Sequence, residues 1–244
     1  MIEKTKQPLN VRIKRAFRKD WQLFLMCLLP VIYFIVFHYL PMYGVQIAFK
    51  DFQASKGIWG SSWVGVKYFK RFFESYQFWP LIKNTLSLSL LQILIGFPIP
   101  ILLAILLNQM KNQKFRQFVQ TVTYCPHFIS IVVLTGMLYI FLSPRTGLIN
   151  NLITSLGGDA KFFLGQPEWF RPIFVLSGVW QNAGWSAIIY IAALAGISPD
   201  LYEAAKMDGA NRWQIIRHID IPGIMPTVTM LLIMEMGKVM NIGF

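Results

Sequence analysis

The chain has 244 residues, 55% of them apolar and 14% charged, with a mean hydropathy of +0.49 and a formal net charge of +12. Soluble domains carry roughly 25% charged residues and do not leave so much contiguous apolar surface in water. A soluble enzyme, a disordered tail and a small disulfide scaffold are therefore excluded. The positive charge reads as loop Lys and Arg facing anionic headgroups, with no nucleic acid implied, because no RNA- or DNA-binding motif accompanies it.

Residues 21–49, 84–110, 117–144 and 172–199 hold no Asp, Glu, Lys or Arg, and a spanning helix needs about 20 apolar residues. The expected fold is an all-α polytopic membrane protein. Residues 1–20 form a basic cytoplasmic segment ahead of it. The apolar stretch from 21 to about 43 is too long for a signal-peptide core and no small-residue cleavage site follows, so it reads as an uncleaved first span. Trp21 and Tyr39 are its interfacial anchors. In the outer segment 41–84, Trp63, Tyr68, Phe69, Phe72, Phe73 and Tyr76 alternate with Lys67, Lys70 and Arg71. That spacing predicts an amphipathic helix in the headgroup region.

Further spans are expected at 85–107, 118–141, 172–195 and 223–243, the last interrupted by Glu235 and Lys238. Pro30, Pro98, Pro100 and Pro126 fall inside spans, where each removes a backbone hydrogen bond and favours a kink. Cys27 and Cys125 sit in apolar windows and read as packed small hydrophobes, and neither a metal nor a disulfide spacing is present. With the N-terminus inside, segments 1–20, 108–117 and 196–222 hold 13 Lys and Arg in 57 residues, against 9 in 74 for the outer segments 41–84 and 142–171. The positive-inside rule favours that orientation. Five spans would leave the far end outside, and a sixth is expected to be missing from this sequence.

The cytoplasmic loop 198–222 carries the functional signal. Ser198 can cap a helix that opens with Pro199 and Asp200. Gly209 supplies a left-handed stop, and Asn211 with Gln214 forms a capping pair for a second helix. Pro222 is expected to separate that helix from the next span. Ala204, Ala205 and Gly209 leave a bare surface flanked by Glu203 and Asp208, a docking knob for a partner.

This loop resembles the EAA loop of ATP-binding-cassette importer permeases: Glu-Ala-Ala, three residues, Gly, nine residues, Ile-x-Leu-Pro. Here Glu203-Ala204-Ala205 is followed at the same spacing by Gly209 and Ile219-Asp220-Ile221-Pro222, with Ile221 for Leu the one departure. The stretches GIWGSSWVGVKYFKRFF, YCPHFIS, TGLINNLI and NIGF are similar to the oligosaccharide and polysaccharide (LplB-like) permeases of the carbohydrate-uptake type. The resemblance implies a type I importer bundle over 21–244, working with a second, homologous permease. It also implies a dimeric cytoplasmic ATPase that uses ATP and Mg, and an extracellular sugar-binding protein. ATPase docking would fall to Glu203, Ala204, Ala205, Asp208, Gly209, Ile219 and Pro222, with Glu203 and Gly209 central. The only Gly-Lys pair, Gly237-Lys238, has Leu232 where a phosphate-binding loop needs Gly, so hydrolysis belongs to another polypeptide.

Candidate pathway residues are Gln181, Trp185, Asn84 and Glu235. Trp180, Gln181, Asn182, Trp185 and Ser186 combine aromatic faces with amide and hydroxyl groups, as sugar sites do. The same residues, with Gly178 and Gly184, also suit a helix–helix interface. On helical spacing, Gln181 and Trp185 share one face and Trp180 and Gly184 another, and the first face is the expected pathway lining. Glu235 and Lys238 read either as pathway charges or as a mutual i,i+3 pair. His127 beside Pro126 is expected to satisfy kinked backbone. Two rival readings make different demands on the sequence. A membrane enzyme or assembly factor with a fortuitous EAA-like loop needs intramembrane catalytic residues, and only Glu235 and Lys238 qualify. An ion-coupled carrier needs an internal inverted repeat, and none is visible.

Overall fold

The structure, a computed structural model, describes residues 19–241. The basic stretch 1–18 and residues 242–244 of the NIGF tail lie outside the described residues. Among the described residues the elements are helices, with one isolated antiparallel bridge between Lys50 and Trp63. Contacts divide the chain into two compact units, Met1–Phe78 and Trp79–Phe244.

In the first unit, helix α1 runs Trp21–Phe49. It widens to a π-turn at Ile35–Tyr39 and tightens to 3-10 geometry at Tyr43–Phe49. The loop beyond it is folded upon itself. Lys50 is buried, its Nζ donating to the Ile58 carbonyl at 2.7 Å while lying 4.7 Å from the Trp63 ring centre. This arrangement satisfies a charge that burial would otherwise penalise. Helix α2, Lys67–Phe73, covers only part of the expected amphipathic stretch, and Trp63 is held at the bridge ahead of it. Tyr68 donates to Asp51 Oδ1 at 2.5 Å, a bond that raises the phenol's pKa above its ordinary value.

The second unit is a helix bundle. Its elements are α3 (Phe78–Asn108), α4 (Gln113–Phe128), α5 (Ile131–Phe141), α6 (Leu148–Ser155), α7 (Pro167–Ala195), α8 (Pro199–Met207) and α9 (Arg212–Met236). Among the described residues three helices, α1, α3 and α9, are long and apolar enough to cross a membrane, and up to five spans result if each bent pair, α4–α5 and α7–α8, counts as one. Ala104 and Ile105 of α3, Ala187, Tyr190 and Leu194 of α7 and Ile224 of α9 form the core. Apolar burial drives little association within lipid, so contact rests on dispersion between closely approaching backbones. Ala104 and Ala187, both fully buried, permit that approach. Gly184 permits a closer one, since a Cβ there would sit 2.1 Å from the Thr123 carbonyl oxygen of α4. Outside the core, Asn150 of α6 latches the loop by donating to Leu142, Ser143 and Lys161 carbonyls and accepting from the Lys161 N–H.

Two departures from the sequence reading share a cause in proline. The third span, expected at 118–141 with a kink at Pro126, is bent by 101° between α4 and α5. Pro126 lies in the 3-10 turn Cys125–Phe128, and Ser130 starts a new helix by accepting from the Val133 N–H. The fifth span does not begin after Pro222 but continues the loop's second helix from Arg212. A π-turn at Ile216–Asp220 makes this possible. Proline withholds the N–H that the carbonyl four residues earlier expects, and a wider turn relieves the crowding. The π-turns Ile35–Tyr39 and Gln92–Gly96 likewise end two residues before Pro41 and Pro98. Cys27 and Cys125, expected to be packed, are free and exposed on this chain.

Candidate functional site

The loop between α7 and α9 is built by the caps that its sequence predicts. Ser198 Oγ accepts from the Asp200 N–H, and Pro199 takes the first turn of α8. At the other end Gly209 adopts φ +79°. Its N–H donates to Lys206 O and the Ala210 N–H donates to Ala205 O, closing a Schellman motif. Asn211 and Gln214 form the reciprocal capping box.

Glu203, Ala204, Asp208 and Gly209 are exposed together, with Ala205 and Ile219 half-buried and Pro222 exposed further along. Apart from its two chain neighbours, no described residue lies within 4 Å of where a Gly209 side chain would begin. The space beside the turn is open to a partner. Sequence reasoning passed over two large side chains here, Met207 at 89% exposure and Trp213 at 68%. Met207 lies one turn from Glu203 on the same face.

Behind this surface is a buried anchor that the motif pattern treats as an unassigned position. Asp220 is fully buried. It accepts from Tyr202 Oη at 2.6 Å, Gln109 Nε2 at 2.7 Å and, at the long limit, Asn108 Nδ2 at 3.4 Å. Burial first, then the bond to the carboxylate and its charge, push Tyr202 up to about 12, so its phenol remains a donor throughout physiological pH.

On the other side of the core, α3, α7 and α9 enclose a cavity of about 920 Å³. Gln92, Asn182, Trp185, Ser186, Glu235 and Lys238 give it amide, hydroxyl, aromatic and charged groups. Trp185 stacks on His127 at 4.5 Å with a 4° interplanar angle and meets Phe128 edge-on. Asn182 donates from Nδ2 to the Gly178 carbonyl, and its Oδ1 lies 3.0 Å from His127 Nδ1. Glu235 and Lys238 pair at 3.2 Å and also line the cavity.

The four expected pathway residues divide. Trp185 and Glu235 meet in this cavity. Gln181 is outside its lining and donates to the Ile129 carbonyl at 2.7 Å, satisfying the backbone freed at the α4–α5 bend, the task expected of His127. The lining face of α7 centres on Asn182 and Ile189, about 100° per residue from Gln181. Asn84 borders a separate cleft of about 460 Å³ beside Gln166, Glu168 and Arg171.

Residues 96–242 match the family model for the binding-protein-dependent transport system inner membrane component. The chain is 48% identical over 222 residues to the polygalacturonan/rhamnogalacturonan transport system permease YteP of Bacillus subtilis, covering 91% of this chain and 69% of the relative. It is 43% identical to Protein LplB of the same organism, over 94% of this chain and 72% of that one. Among solved structures it is similar to a bacterial ABC transporter that imports the acidic polysaccharide alginate. There the TM-score is 0.87 and the identity 45%, covering 96% of this chain and 78% of that chain. A second structure, with a TM-score of 0.86, 45% identity, and coverage of 96% of this chain and 77% of that chain, holds that transporter with an alginate pentasaccharide-bound periplasmic protein.

Proposed function

From the premise that this chain belongs to the binding-protein-dependent transport system inner membrane components, a family of permeases rather than enzymes, we propose that it carries a uronate-containing oligosaccharide across the cell membrane. It is a permease subunit of an oligosaccharide ABC importer, and ATP hydrolysis belongs to a separate subunit. The observation that carries the finer reading is the cavity. Trp185 offers a face for a pyranose ring, Gln92, Asn182 and Ser186 offer partners for hydroxyls, and Lys238, paired with Glu235 at 3.2 Å, brings a positive charge to the same wall. The relatives' acidic polysaccharides support that class of substrate.

In this reading a second, homologous permease completes the channel, and an ATPase dimer, using ATP and Mg, grips Glu203, Ala204, Asp208 and Gly209 from the cytoplasm. Closure of that dimer moves the docking loops and turns the bundle between inward- and outward-open states, which requires docking contacts that differ between the two ATPase states.

Purification of the full-length protein in mild detergent tests it. A second permease and an ATPase are expected to co-purify, and ATP turnover is expected to rise with binding protein loaded with an oligogalacturonide but not with a neutral malto-oligosaccharide. Absence of any ATPase overturns the docking assignment, and equal stimulation by both sugars overturns the acidic class. In this reading the N-terminus is inside. Cysteine labelling should therefore find position 67 from outside and positions 114 and 212 from inside, and outside-only labelling at 212 would reverse the orientation.

A further inference from the structure

We propose that Asp220 is the positioning residue through which the docking helix moves the second span, an inference that rests on the ATPase-docking reading above. The carboxylate is fully buried at a π-turn of α9. Its recorded partners are all neutral donors: Tyr202 from α8, and Gln109 and Asn108 from the end of α3. Three elements therefore meet on one acceptor.

Stability alone does not call for this arrangement. Desolvating a carboxylate is costly, and an apolar side chain of similar volume would fill the site at least as favourably. Charge-assisted hydrogen bonds provide direction and stiffness instead. Apolar helix faces can slide past one another, whereas a carboxylate with three aimed donors resists both separation and slippage, because each lost bond leaves a buried polar group unsatisfied. Acceptor-only chemistry also suits the position, since every partner donates.

The geometry on either side gives the anchor something to transmit. Tyr202 is half-buried and neighbours the exposed Glu203, one residue and about 100° around α8, so the helix has a partner-facing side and an anchored side. Beyond Asn108, α3 leads back to Gln92, Gly96, Phe97 and Pro100, which line the cavity. The π-turn Gln92–Gly96 interrupts α3 at that level, and such turns weaken the regular ladder where a helix must yield. A displacement of α8 thus reaches the cavity wall through Tyr202, Asp220 and Gln109.

The test uses the purified complex with its co-purifying ATPase. Cys27 and Cys125 are replaced by Ser, and Ala183→Cys in the cavity wall reports access to a maleimide, with and without vanadate-trapped ATP. Tyr202→Phe removes the donor on the docking side and Gln109→Leu the donor on the span side. Each is expected to shrink the trapping-dependent change in labelling rate at least fivefold with the amount of bound ATPase at its parental value, and to lower the thermal midpoint as well, because the buried acceptor loses a donor. A parental labelling change in both variants overturns the proposal. So does a lowered midpoint in which the surviving complex keeps the parental change, since Asp220 would then be a stabilising contact only. If the unsubstituted chain retains no ATPase, the docking reading fails and takes this inference with it; a parental labelling change in both variants with ATPase still bound sinks this inference alone.

Discussion

Gly209→Trp is expected to reduce sugar uptake by at least roughly 30-fold, the loss that follows from removing about 2 kcal/mol of docking energy at one central contact. Two effects combine at this position. The first is backbone strain, because φ is +79° and an L-residue held in the left-handed region costs about 1–2 kcal/mol. The second is bulk on a surface that this chain leaves empty and that the proposed partner must approach closely. The two are separable. Gly209→Ala adds the strain with only a methyl group and should leave intermediate uptake. Neither change touches the core of α3, α7 and α9, so membrane insertion and yield should match the parent. Uptake and ATPase co-purification measured together decide the matter, and parental values for both in the Trp variant would remove the loop from the docking role.

The docking loop was legible from sequence because its signals are local. Ser198, Gly209, Asn211 and Gln214 each act on backbone within a few residues, and the structure contains every one of those bonds. The existence and approximate placement of the apolar helices were legible for the same reason, since a charge-free run of this length leaves few alternatives. What could not be read was how proline would be absorbed. Pro222 and Pro98 sit after π-turns within continuous helices, whereas Pro126 accompanies a 101° bend. The difference lies in whether a neighbouring helix can satisfy the freed carbonyl. At the bend, Gln181 reaches Ile129 from α7, a contact across 52 positions that no local pattern announces. Asp220 was hidden likewise. Its partners lie 18, 111 and 112 positions away, and in sequence the only hint is one acid between two isoleucines at the edge of an apolar helix. The cavity-lining face of α7 lies about one residue step from the expected Gln181–Trp185 face: Trp185 belongs both to the face of Gln181 and to that of Asn182, and the packing of α3 and α9 selects the second.

Trp185→Ala is the second large effect expected, and it separates substrate handling from assembly. The ring is held on one side by His127 at 4.5 Å and on its edge by Phe128, and it remains 44% exposed where it lines the cavity. A rigid aromatic face so placed can stack on a pyranose, and aromatic contacts of this kind contribute roughly 0.5–1.5 kcal/mol, or about 2- to 12-fold in an equilibrium constant. Truncation should therefore lower substrate-dependent uptake, and ATPase stimulation by the loaded binding protein, within that range. Complex yield should hold, because the core beneath consists of Ala187, Tyr190 and Leu194 rather than Trp185. Trp180→Ala provides the contrast. Trp180 is outside the cavity lining and lies on the face of Gly184, where α7 meets the Thr123 backbone, so its loss should act on yield and leave stimulation per complex unchanged. His127→Ala adds a third measurement, since it removes the stacking partner without removing the stacking face. A free Trp185 ring is less organised before the sugar arrives, so a smaller loss than for Trp185→Ala is expected. If His127→Ala and Trp185→Ala both lower yield while Trp180→Ala lowers stimulation, the two faces of α7 must exchange roles.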